Sequence, residues 1–239
     1  MKKALITASV MTVVAVPTSS AFLPSAANAA VSNGSVVSAQ QAGPEVEAAS
    51  VEYMKRTVFS PDGKIVNAQE EWQDTKASCY KSVFLTPAKD NPDKLITEVS
   101  IVNGKQRVSF TKDSNGKITE GGRQTYPQAM KQKSLLAAEK ERYTRQEWKN
   151  QGKVSENGVA YTKKTRTYTS VGEKFTEVAL MNQSGLPVKE TIFIIKDGKS
   201  TLLFNVNYQY DKLKADNELF NVDAVKLPEN IKPKDKTKW

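Results

Sequence analysis

From Leu202 to Tyr210 apolar and polar side chains alternate. Leu202, Phe204, Val206, Tyr208 and Tyr210 fall on one side, and Leu203, Asn205, Asn207 and Gln209 on the other. A period of two marks a strand with one covered face. Such a long run implies a large or strongly curved sheet. It follows an outgoing run from Gly185 and the turn residues Lys196-Asp197-Gly198, so it is the returning arm of a long hairpin. A three-residue loop, Lys196-Asp197-Gly198, is expected there, because it sets Leu202 against Ile192 and Val206 against Val188 and keeps the apolar set on one face. A two-residue turn would instead oppose Phe204 to Thr191.

Upstream, strand-like runs alternate with turn signals. Tyr53–Phe59 leads through Ser60-Pro61-Asp62-Gly63 to Lys64–Trp72, and Ser78–Leu85 follows. Leu95–Val102 meets Asn103-Gly104 and returns as Lys105–Thr111 before Asn115-Gly116. A two-residue Asn-Gly turn would pair Val99 with Val108 and Thr97 with Phe110. Val159–Thr169 and Lys174–Met181 complete the set, whereas Gly121-Gly122 reads as an isolated turn signal.

One helix is expected, over Pro127–Arg142. Proline suits the first helical position, and Ala129, Met130, Leu135, Leu136, Ala137 and Ala138 are good helix formers. Ala129, Leu136 and Tyr143 make a narrow stripe, and the lysines beside it read as a solvated face. Tyr143–Lys149 could extend the helix or begin a strand. Strands, helix, strands joined by short turns make an α+β fold with an antiparallel sheet.

The N-terminus adds a compartment. Met1-Lys2-Lys3, an apolar run from Ala4 to Val16, and Ala27-Asn28-Ala29 have the order of a secretory signal peptide. Residues 1–29 are therefore expected to be removed, 30–50 to form a flexible leader, 51–228 one domain, and 229–239 a disordered basic tail. No cysteine stands at the cleavage point, so the expected product is secreted or held in the cell-envelope space without a lipid anchor. Losing Lys2 and Lys3 lowers the formal charge from +9 to +7.

Composition then removes chemistry. The chain has no histidine and one cysteine, Cys79. Histidine-dependent triads, Cys-His pairs and zinc sites with histidine ligands are excluded. Cys79 reads as a small buried hydrophobe. No phosphate-binding glycine loop is present, and no cofactor, no metal and no enzymatic activity are expected; the one class left open, a hydrolase, would require two acidic side chains converging in a cleft. The basic balance would attract anionic wall polymer or a membrane surface rather than nucleic acid in an exported protein.

Gly185-Leu186-Pro187, Lys196-Asp197-Gly198-Lys199, the strand Leu202–Tyr210 and the closing Leu219-Phe220-Asn221-Val222 resemble the end of LolA-like superfamily domains. Envelope lipoprotein carriers and periplasmic sensor domains belong to that group. The resemblance implies a strongly curved antiparallel half-barrel whose open side is covered by helix. It also implies non-enzymatic binding of a lipid, acyl chain or hydrophobic peptide. The groove is then expected to be lined by Ile192, Ile194, Leu202, Phe204, Val206 and Tyr208, with Trp72 and Phe84. The chain departs from the family in lacking an amphipathic helix before its first strand and a lipidation cysteine. The alternative is a cell-surface interaction module that binds anionic wall polymer or a partner protein through its basic face. The oligomeric state is left open.

Overall fold

Eleven antiparallel strands form one open sheet in the computed structural model, which describes residues 51–214 and 216–233. In chain order they are β1 (Val51–Phe59), β2 (Ile65–Asp74), β3 (Cys79–Pro87), β4 (Leu95–Asn103), β5 (Gln106–Lys112) and β6 (Ile118–Thr125). After the helix α1 (Leu135–Arg142) come β7 (Lys149–Glu156), β8 (Val159–Ser170), β9 (Glu173–Met181), β10 (Pro187–Lys196) and β11 (Lys199–Leu213). A two-residue β12 (Lys232–Pro233) lies parallel to β6. The spatial order is β12-β6-β5-β4-β3-β2-β1-β11-β10-β9-β8-β7. Two meanders are thus zipped together by the pairing of β1 with β11. The fold is mostly β, and α1 is the one α-helix among the described residues. The expected signal peptide and leader lie outside those residues. Part of the expected tail is ordered enough to form β12, and 234–239 again lie outside.

Two turns differ from expectation. The β4–β5 loop is Gly104-Lys105, not Asn103-Gly104, so Val99 faces Phe110 and Ile101 faces Val108. The slip is by two residues in the sum of partners, so every side chain keeps its face. Gly104 at φ +58 takes the first central position of a two-residue hairpin turn, which favours glycine. The β10–β11 loop also has two residues, Asp197 at φ +51 and Gly198 at φ +73. These positive values fit a type I′ turn. A bulge at Leu203 then restores even-against-even pairing, with Ile192 opposite Phe204 and Glu190 opposite Val206.

The helix is half the expected length. Ser134 caps it by accepting the Ala137 amide proton at 3.0 Å. Residues 127–134 run across the sheet without helical structure, and the last helical turn leads into a short link to β7. The Ser134 hydroxyl donates to the Glu52 carboxylate of β1, at 2.8 and 2.9 Å to its two oxygens. The sheet therefore has a helix side, to which Glu52 points, and an opposite side.

The main core lies on the opposite side, over β1–β6. Val51, Cys79, Val99, Ile101, Val108 and Phe110 are buried there against Phe220 and Val222. Fully burying an aliphatic side chain of this kind contributes about 1.5–3 kcal/mol. A 3-10 turn at Asn217–Phe220 starts the covering segment. Arg123 holds that segment by donating to the Val222 and Val225 carbonyls at 3.0 and 2.6 Å. Cys79 is buried in this core, and burial pushes its thiol above the ordinary range.

The rims of the sheet are treated differently. On one side β12 caps β6. On the other, β7 (KNQGKVSE) is polar and is kinked between Asn150 and Lys153, with Gly152 at φ +89.

Candidate functional site

Cross-strand partners share a face, so the register fixes what lies on the helix side. Arg166 of β8 faces Glu177 of β9, which faces Ile192 of β10 and then Phe204 of β11. One row further along, Lys164, Ala179, Glu190 and Val206 line up. Tyr208 of β11 and Arg56 of β1 form the next pair.

This row structure makes a buried polar cluster beneath the end of α1. Glu190 has no exposed surface and Glu177 is 3% exposed. The Tyr208 hydroxyl donates to Glu190 Oε2 at 2.9 Å, and Tyr143 approaches the same oxygen at 3.4 Å. Arg142 of α1 reaches Glu190 Oε1 at 3.5 Å. Arg166 Nε donates to Glu177 Oε2 at 2.5 Å and the Tyr168 hydroxyl to Oε1 at 2.7 Å. The Arg166 guanidinium also stacks over Trp148 and Tyr168, at 4.9 and 4.8 Å.

The two carboxyl groups stand on neighbouring strands and have unlike partners. Burial, with the Glu177 charge beside it, pushes Glu190 up to about 7 despite Arg142. Burial also acts to raise Glu177, but the bonds from Arg166 and Tyr168 outweigh it and leave its carboxyl below the ordinary range. Of the two, Glu190 is biased toward its protonated form and Glu177 toward the carboxylate. Every oxygen of the pair is engaged within the protein, so the pair fastens α1 and the 143–148 link to the sheet rather than meeting a substrate.

Beside the cluster, towards the Asp197-Gly198 turn, the same face becomes apolar. Phe175 faces Ile194 and Tyr168, with the Tyr168 and Phe175 rings stacked at 5.4 Å. Ile192 faces Phe204. All five side chains are half-buried and form a continuous platform over β8–β11.

The eight groove residues expected from sequence therefore separate. Ile192, Ile194 and Phe204 come together on the platform. Val206 and Tyr208 lie on the same face but are buried by Val58 and the cluster itself, so they line no open groove. Phe84 also faces the helix side, but on β3, three strands from β11, in the row of Gln69, Arg56 and Tyr208. Trp72 is on the opposite face, packed beside the main core with Tyr53 at 5.2 Å and Lys81 above it. Leu202 pairs with Phe193 beyond the bulge and leaves the platform. Sequence reasoning passed over Glu177, Glu190 and Tyr143. The available signal was the opposite charge of Arg166 and Glu177, equidistant from Val171-Gly172.

No family model and no curated protein matches the chain. Among solved structures it is similar to LprF from Mycobacterium bovis, with 14% identity and a TM-score of 0.32 over 70% of this chain and 86% of that one. It is similar to the MucA/MucB complex of Pseudomonas aeruginosa, with 13% identity and a TM-score of 0.29 over 72% of this chain and 56% of that one. A domain from Vibrio parahaemolyticus assigned to outer membrane lipoprotein sorting gives 9% identity and a TM-score of 0.25 over 74% and 92%. Likenesses at these values transfer no ligand or activity.

Proposed function

We propose that this chain is an exported, non-enzymatic binding protein that holds a lipid, acyl chain or hydrophobic peptide on the helix side of a half-barrel sheet. The observation that carries the reading is the platform of Tyr168, Phe175, Ile192, Ile194 and Phe204. It is a contiguous apolar surface that α1, with no fully buried residue of its own, leaves without cover. The fixed cluster beside it supplies a rigid wall, so a ligand would meet a preformed surface. Long strands and the bulge at Leu203 are the devices that bend a sheet into a trough. Catalysis has no part in this reading, because Glu177 and Glu190 are saturated by their own neighbours. The signal-peptide reading of residues 1–29 supports export, and no helix among the described residues is long and apolar enough to cross a membrane.

The test is native mass spectrometry of protein from its own host, followed by titration with a fluorescent fatty acid. Ile194→Asp and Phe204→Asp should each weaken probe binding about tenfold or more, since each sets a charge on the apolar surface. Trp72→Phe, on the other face, should leave it unchanged. Ligand-free protein that ignores the probe would end the proposal.

A further inference from the structure

We infer that a cavity between the end of α1 and strands β7–β9 is a binding site for a phosphate ester. Its volume is about 560 Å³, and its wall includes Lys140 of α1, Lys153 of β7 and Lys164 of β8, together with Thr144, Thr162 and Asn182. No carboxylate is part of that wall. The three lysines come from three separate elements, so the fold and not the local sequence brings them together. Thr162 and Lys153 are direct cross-strand partners, and Lys164 lies two residues further along the same face.

The charge in this cavity is not neutralised from within. Among the described residues, Lys55, Lys64, Lys133, Lys189 and Lys196 form salt bridges, whereas Lys140, Lys153 and Lys164 do not. The acids closest in sequence are committed elsewhere: Glu141 to Lys133, Glu139 to Arg142, Glu147 to Arg166 and Glu156 to Lys189. Lys164 gives one proton to the Tyr143 carbonyl at 2.7 Å, which steadies the side chain and leaves its other N–H groups to donate. Three cations around one concavity focus a positive potential that an anion relieves.

The side-chain chemistry narrows the anion. A flat carboxylate is best met by the planar fork of arginine, and no arginine lines the cavity. Lysine ammonium groups act as point charges and suit a phosphate, whose oxygens are spread tetrahedrally. The Thr144 and Thr162 hydroxyls and the Asn182 amide suit a hydroxyl-bearing body such as glycerol or sugar, and the volume has room for one beside the phosphate. Such a group can be a soluble compound or the headgroup of a lipid. The site stands apart from the apolar platform, on the far side of the 143–148 link.

The test uses the full chain with two probes. Glycerol 3-phosphate is titrated by calorimetry, and vesicles of phosphatidylglycerol are compared with vesicles of phosphatidylcholine by flotation. Lys140→Gln and Lys153→Gln are the informative variants, because both side chains are exposed and Lys164 also holds the backbone. Each should weaken binding about fivefold. The pair Lys174→Gln and Lys199→Gln, at the other end of the strands, should leave it unchanged. Saturable binding of the soluble probe without a vesicle preference assigns a free phosphate ester. Binding to phosphatidylglycerol vesicles that glycerol 3-phosphate competes away assigns a headgroup. Failure of both probes to bind saturably, or an equal loss in the distal pair, overturns the inference. Neither lysine variant should alter fatty-acid binding, so failure here is distinguishable from failure of the platform.

Discussion

The Tyr208 hydroxyl lies 2.9 Å from a Glu190 carboxyl group that has no contact with solvent. Through it β10 and β11 are tied to Tyr143 and Arg142, the residues by which the C-terminal end of α1 rests on the sheet. The bond lies within the polar clamp, and the apolar surface begins one row away, where Ile192 faces Phe204.

Glu190 makes stability depend on pH. Its folded value of about 7 lies above that of a carboxyl in the unfolded chain, near 4.5. The unfolded state therefore loses its proton first, and stability falls as pH rises from about 4.5 to 7, on the order of 1–3 kcal/mol, then levels. Glu177, held below the ordinary range, acts in the other direction and loses its contribution as pH falls below about 4.5. Urea unfolding across pH 4–8 measures both limbs. Glu190→Gln can keep the bond from Tyr208 at the cost of the Arg142 contact, removes the titrating group, and should abolish the fall between about 4.5 and 7. A variant that still shows the full slope would mean that another group titrates.

Glu52 fixes the start of the helix. It accepts from the Ser134 hydroxyl and from the Leu136 amide at 3.3 Å, placing a carboxylate where the helix dipole favours one. Glu52→Ala should cost about 1–2 kcal/mol and speed amide exchange at Ala137 and Ala138. Unchanged exchange there would show that α1 is held by Arg142 and Tyr143 alone.

Gly121 and Gly122 are adjacent but should respond oppositely to alanine. A Cβ on Gly121 would lie 2.9 Å from Ile231 Cδ1, 3.0 Å from Leu227 Cδ2 and 3.2 Å from Phe110 Cβ. One on Gly122 would meet nothing within 4 Å. Gly121→Ala should destabilise by about 1–3 kcal/mol through displacement of the C-terminal cover. Gly122→Ala should be neutral or slightly stabilising. Denaturation midpoints decide between this and an equal response.

Val171 occupies the first central position of the β8–β9 turn at φ +50 and is fully exposed. A β-branched residue is strained there, whereas asparagine is suited to a type I′ turn with Gly172 following. Val171→Asn should raise stability by about 1 kcal/mol, read as a higher melting temperature. A lower one would contradict the turn assignment.

Alternation and turn chemistry made nine of the strands legible in the sequence. β6 and β7 were not, because ITEGGRQT and KNQGKVSE carry no alternating apolar set. β6 takes its apolar cover from Leu227 and Ile231, far along the chain, and β7 is a polar rim. Helix propensity over 127–134 gave way to the cap at Ser134 and its anchor on Glu52. The clamp was hidden for a similar reason: an isolated glutamate in a strand reads as solvent-facing until the register sets Arg166 beside Glu177. Valine at a turn position masked that register. On the platform, Ile192, Ile194 and Phe204 followed from alternation, whereas the bulge at Leu203 removed Leu202.

The treatment of the rims bears on how such a chain avoids pairing with copies of itself. An open sheet of this width offers its outer strands as templates for neighbouring copies. A two-residue lid at one margin and a lysine-bearing, glycine-bent strand at the other deny that templating, so the molecule can keep one face greasy without zipping into fibrils.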